Sequence, residues 1–182
     1  MTTVLFVHAR SNYKKLPFFD CYDENRNALT YTGLEPVICH PPCRTFSRLK
    51  GWSTADVEEK KLAFWAVDLV RKNGGIVEHP YDSDLWKEIN APKPGTYDDF
   101  GGFTIVFDQK DFGYYTRKRT RLYIVGCKLR DLPAMPISFD CTVRKFENLT
   151  KKQRSETTID LCSFLHEIIN IIKSTGALKI AC

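Results

Sequence analysis

The sequence lacks an apolar run of membrane-spanning length, since even FLHEIINIIK is interrupted by His166, Glu167 and Asn170. The apolar start MTTVLFVHAR is too short, and meets charge too soon, for a signal peptide. No membrane partner is expected. There is no disulfide framework either, because seven cysteines are an odd set scattered through strand-like and helical segments. A reduced, cytoplasmic setting fits that pattern, the host cytoplasm if the chain is phage-encoded. The absence of any Cys-x-x-Cys pair argues against a zinc site and against the zinc-deaminase signature. Cys39, His40, Cys43 and His79 are zinc-ligand types, but adjacent strand residues such as Cys39 and His40 point to opposite faces. No metal is expected. Repeats, low-complexity tracts and linkers are missing too, so residues 1–182 read as a single domain long enough to bury a core.

A net charge of +5 permits nucleic acid or another anionic partner without requiring one. Short apolar runs bounded by turn residues, TTVLFVHA, FFDCYD and EPVICH, predict three strands. A helix follows, with Ser53 and Asp56 as its capping pair. Its apolar face is formed by Leu62, Trp65, Ala66, Leu69 and Val70, and Arg71, Lys72, Asn73 and Gly74 close it. The next strand is GIVEHP, so the unit is strand, helix, strand, with parallel pairing. SDLWKEI predicts a short helix capped by Ser83, and APKPGTYDDFGG a loop. FTIVFDQ and TRLYIVGC form a hairpin-like antiparallel pair, and residues 157–173 a last helix docked on the sheet. The fold class is α/β, a mostly parallel sheet with an antiparallel hairpin and flanking helices.

Two strand ends carry chemistry. In VICHPPCRTFSR the prolines stop the strand ladder, which leaves the Cys43 thiol just past a strand end, where open α/β sheets bind ligands. In GIVEHP the carboxylate of Glu78 sits at the corresponding place. If the two strands are neighbours, thiol and carboxylate face one cleft. A thiol adds to an electrophilic carbon and a carboxylate engages a ring nitrogen with its exocyclic amine, a pairing suited to a pyrimidine. Arg44 or Arg48 nearby would lower the thiol pKa. The run TRKRTR, residues 116–121, suits phosphate contact through Arg117, Arg119 and Arg121, or else a solvated hairpin.

These motifs resemble, in order along nearly the whole chain, those of the cytosine-C5 DNA methyltransferases, and more closely their short phage-encoded relatives. Pro42 and Cys43, followed by Phe46 and Ser47, match the nucleophile motif; Glu78, His79 and Pro80 match the Glu-Asn-Val or Glu-Asn-Pro motif. QKDFGYYTRKRTRLYIVG matches on Gln109, Phe112, Gly113, Lys118, Thr120 and Tyr123, and LTKKQRSETT on Lys152, Arg154 and Thr157. The resemblance implies a Rossmann-like methyltransferase fold in which Cys43 attacks cytosine C6 and Glu78 holds the ring edge. The substrate site would include Pro42, Arg44, Ser47, His79, Pro80, Gln109, Lys118 and Thr120. It implies S-adenosylmethionine as cofactor, with Asp23 on its ribose and Phe6 beside it. Where the family has a glycine-rich loop this chain has HARSNYKKLPFFD, and no target-recognition domain is present. The substrate is then cytosine in DNA or a pyrimidine nucleotide, with a protein partner to supply specificity. The alternative is a catalytically silent methyltransferase fold that binds a nucleotide or a protein, such as a phage counter-defence factor.

Overall fold

The computed structural model describes residues 1–46, 57–139 and 148–180. Six strands, β1 (Thr2–Leu5), β2 (Phe19–Tyr22), β3 (Val37–Cys39), β4 (Gly75–Pro80), β5 (Phe103–Asp108) and β6 (Arg119–Val125), form one sheet in the order β2-β1-β3-β4-β6-β5. The first four are mutually parallel, and β6 runs against both β4 and β5. The α/β class, the strand-helix-strand unit and the antiparallel hairpin expected from sequence are all present.

The sheet is covered on both sides, which is why β3 and the first half of β4 are apolar without alternation. On one face Val4, Ile38, Ile76, Leu122 and Ile124 pack with Leu161, Leu165, Ile168 and Ile172 of a long helix (Ile159–Ile180). On the other, Leu5, Val37, Val77 and Tyr123 pack with Ala63, Ala66, Val67 and Val70 of α1 (Val57–Asn73). Truncating any one of these buried leucines or isoleucines to alanine would cost about 2–5 kcal/mol. A short α2 (Leu85–Glu88) extends the second layer, and α3 (Lys151–Arg154) precedes the long helix, α4. None of the helices among the described residues is long and apolar enough to cross a membrane.

Several boundaries differ from the sequence expectation. The capping pair expected for α1, Ser53 and Asp56, lies outside the described residues. Helix α1 ends as expected, with Gly74 at φ 80° and its N–H on the Val70 carbonyl. Gly75 follows at φ 127°, where a Cβ would meet the Val37 carbonyl oxygen at 2.1 Å, so only glycine lets β4 pair with β3 there. β1 is half the predicted run because Phe6 leaves the strand at φ 62°. The crossover to β2 is made by a 3-10 turn (Asn12–Lys15), capped by Ser11, in place of a helix. The last helix starts at Ile159 and runs past residue 173 to Ile180.

From β1 the chain moves first to β2 on one side and then to β3 on the other. The crevice beyond the carboxyl ends of β1 and β3 is therefore the sheet's topological switch point.

Candidate active site

β3 and β4 run in parallel register, with Cys39 opposite Val77, so the residues that follow, His40 and Glu78, emerge side by side. The His40 N–H still bonds the Leu5 carbonyl at 3.1 Å, and the two prolines then end the ladder. Past them, the chain turns through a 3-10 segment (Arg44–Phe46) whose Phe46 N–H closes on the Cys43 carbonyl at 3.1 Å. A cavity of about 940 Å³ opens here. Its walls are residues 6–8, 40–44, 78–82 and 117–119, with Arg154 and Thr157 on the α4 side. Cys43 and Glu78 thus face one space, as the sequence anticipated.

Glu78 sits in the middle of a hydrogen-bonded chain. Its Oε2 lies 3.0 Å from His40 Nδ1, and its Oε1 accepts from Gln109 Nε2 at 3.1 Å. His40 Nε2 lies 2.9 Å from the Tyr13 hydroxyl, and Gln109 Nε2 also reaches Thr120 Oγ1 at 2.9 Å. Burial alone would raise the Glu78 pKa. The hydrogen bond and charge of His40, together with the Lys118 cation, outweigh it and hold the carboxyl at about 2. The carboxylate is charged and gripped from both flanks. Gln109 Oε1 is left buried without a partner, at a cost of about 1–3 kcal/mol.

Cys43 is partly buried, and burial pushes its thiol pKa up, with the Glu78 charge adding to the rise. Lys118 and Arg44 pull it down by less. The expected lowering by a neighbouring arginine is therefore outweighed; Arg44 itself is ion-paired to Glu59 on α1. Arg48, like Ser47, lies outside the described residues.

The remaining expected site residues separate into cavity wall and backing. Pro42, Arg44, Pro80, Lys118, Arg117 and Arg119 line the cavity, and the Arg119 guanidinium lies 3.9 Å over the Tyr81 ring. Gln109 and Thr120 are buried behind Glu78. His79 touches the cavity wall but is fully buried; its Nδ1 is 2.7 Å from Ser83 Oγ and its Nε2 3.4 Å from the Pro42 carbonyl, so it pins the Cys43 loop. Arg121 lies away from the cavity: it bonds the Pro92 carbonyl at 2.7 Å and Thr104 Oγ1 at 3.1 Å, with the Trp86 ring 5.3 Å away. Two residues along β6 carry it off the strand end and under α2.

S-adenosylmethionine fits poorly at the residues the resemblance assigns to it. Asp23 directly follows β2 as expected, but its carboxylate is held by Lys14 and by the N–H groups of Asn25 and Arg26. The Lys14 bond, first among these contacts, lowers the Asp23 pKa. A ribose diol would have to displace that lysine. Phe6 does border the cavity, with its ring edge-on to Trp65 at 5.9 Å, and Asn12 and Tyr13 of the 3-10 turn are buried where a glycine loop would leave room for a ligand.

Sequence reasoning missed His40 and Tyr13 as members of the site. His40 was visible as the polar residue that ends an apolar strand, three positions before the thiol; Tyr13 carried no signal beyond the glycine-free loop that holds it. No protein-family model matches the chain, and no curated protein is significantly similar to it.

Proposed function

We propose that this chain is a cytosine-C5-methyltransferase-like protein that takes a cytosine, from DNA or from a free nucleotide, into the cavity beyond β1, β3 and β4 and adds Cys43 to ring carbon 6. The observation that carries this reading is the convergence of Cys43 and a charged, doubly gripped Glu78 on one cavity with Arg117, Lys118 and Arg119 at its edge. Cations at the rim suit the phosphate of the incoming nucleotide, and the carboxylate suits the ring edge. If the base comes from DNA it leaves the stack to reach the thiol, at a cost of a few kcal/mol that a single strand reduces.

In the step itself a Sγ–C6 bond forms, the C5=C6 pair shifts to C4=C5, and the C4=N3 pair takes a proton at N3. The thiol proton leaves to water. C5 is then an enamine carbon, able to gain a proton from solvent and return it on reversal. Since the Asp23 carboxylate is already held by Lys14 and two backbone N–H groups, the reading stops at this adduct. A second reading, a silent fold that binds a nucleotide, is favoured by the raised thiol pKa of Cys43.

A ring with nitrogen at position 5 separates the two. 5-Azacytosine is more electrophilic at C6 than cytosine and takes a proton on N5 as the thiol adds, so its equilibrium lies further toward the adduct and an acid quench holds it for mass analysis. Intact-mass analysis after incubation with a single strand carrying one 5-azacytosine, or with its mononucleotide, should show one added ligand on the parent and none on Cys43→Ser. Binding of both probes without any covalent mass would move the assignment to the silent fold.

A further inference from the structure

His40 has no part in the step just described, yet its ring stands between two groups that bear on it, Tyr13 on the 3-10 turn and Glu78 on β4. Tyr13 is buried, and burial pushes its hydroxyl pKa up, so it remains an O–H group. In the neutral imidazole, Tyr13 donates to Nε2 and Nδ1 carries the hydrogen toward Glu78; in the imidazolium, Nδ1 donates as well. Either way Glu78 Oε2 receives a bond. On the other flank Gln109 has little choice of orientation. Thr120 gives its hydroxyl hydrogen to the Lys118 carbonyl at 3.2 Å and so needs a donor, as Glu78 does, and Gln109 Nε2 serves both. The orphaned Gln109 Oε1 is the consequence.

We infer that His40, steadied by Tyr13, is a positioning residue that keeps Glu78 an acceptor at both oxygens and so makes the site choose a pyrimidine edge with two adjacent donors. The inference rests on the pyrimidine reading of the cavity. Cytosine protonated at N3 has such an edge, N3–H beside N4–H. Uracil and thymine instead turn O4 toward a carboxylate oxygen, an acceptor against an acceptor in a partly buried site. Cytosine binding therefore draws a proton onto N3, the same proton that attack at C6 requires, and base choice and activation become one event. The ionisable groups around this pair are Lys118 before β6, Cys43 after β3, His79 on β4, and Cys162 of α4 and Cys21 of β2 near Tyr13. Lys118 favours the anionic Glu78.

The test is calorimetry on the full chain with dCMP and dUMP, and with short single strands carrying one cytosine or one uracil, in two buffers of different ionisation enthalpy to count protons taken up. The parent should prefer cytosine roughly tenfold or more and take up about one proton with it near neutral pH, but none with uracil. His40→Ala should lower both the preference, by roughly tenfold, and the uptake. His40→Asn, which keeps a donor, should restore part of each. Tyr13→Phe keeps the buried ring and removes only the hydroxyl; it should shift both quantities the same way by less, and it carries the test if the alanine variant does not fold. An unchanged ratio and uptake in folded His40→Ala, or in Tyr13→Phe where that is the folded variant, would overturn the inference alone, as would a parent that binds both bases alike. A parent that binds neither base in either form would overturn the pyrimidine reading along with it.

Discussion

Burial and the Glu78 carboxylate hold the Cys43 thiol above its ordinary pKa, against a smaller pull from Lys118 and Arg44. The balance has a measurable sign. Alkylation of Cys43 by iodoacetamide should rise with pH along a curve whose midpoint lies above that of a free cysteine. Glu78→Gln should move the midpoint down, because it removes a negative charge that disfavours the thiolate. Lys118→Ala should move it up. Mass mapping of the Cys43 peptide across a pH series reads these midpoints, and opposite shifts would show that the charges around the thiol have been misassigned. Cys43 and Glu78 were legible in the sequence because each follows or ends an apolar strand and meets a proline, a pattern that needs no knowledge of the partner strand. Tyr13 was not, since its place against His40 is fixed by a turn that replaces the usual crossover helix.

Among the elements, β4 ties the site together through His79, whose ring links Ser83, in the turn before α2, to the Pro42 loop. Burial depresses the His79 pKa from 6.5 to about 4. The unfolded chain therefore binds the extra proton first. The stability contributed by the neutral ring is complete above pH 6.5 and is lost as pH falls toward 4. That loss amounts to about 2 kcal/mol between pH 7 and pH 5. Glu78, also depressed, adds a further loss only below its ordinary value of 4.5. Urea unfolding at pH 7 and pH 5 should show this fall in the parent and a much flatter response in His79→Gln, whose stability at pH 7 is itself lower. Equal slopes would place the acid-sensitive group elsewhere. The elements with long apolar periodicity, α1 and α4, and the β3–α1–β4 unit were readable from sequence because their patterns repeat over several turns or run unbroken through a buried strand. Strand ends were not, as with β1, which stops at the left-handed Phe6 without a glycine or proline to announce it.

At the scale of the whole molecule, a sheet that reverses its order between β1 and β3 places a thiol, a carboxylate and a set of cations around one opening. The basic excess of the sequence permits an anionic partner without requiring one, and the structure divides its arginines: Arg117 and Arg119 border the cavity, whereas Arg121 is spent on the loop at Pro92. That division could not be seen in TRKRTR, where the three arginines alternate identically. If Cys43 adds reversibly to C6 of cytosine, as proposed, the direct consequence is exchange at C5, because the enamine carbon gains and loses protons while the adduct exists. The measurement is loss of deuterium from C5-deuterated cytosine, supplied as dCMP and within single-stranded DNA, in buffered water. The parent should release the label well above the buffer rate, Glu78→Gln should be slower by roughly a hundredfold, and Cys43→Ser should release none. Exchange that persists in the serine variant, or a parent that binds cytosine and leaves its C5 label untouched, would rule out a Cys43 adduct at C6.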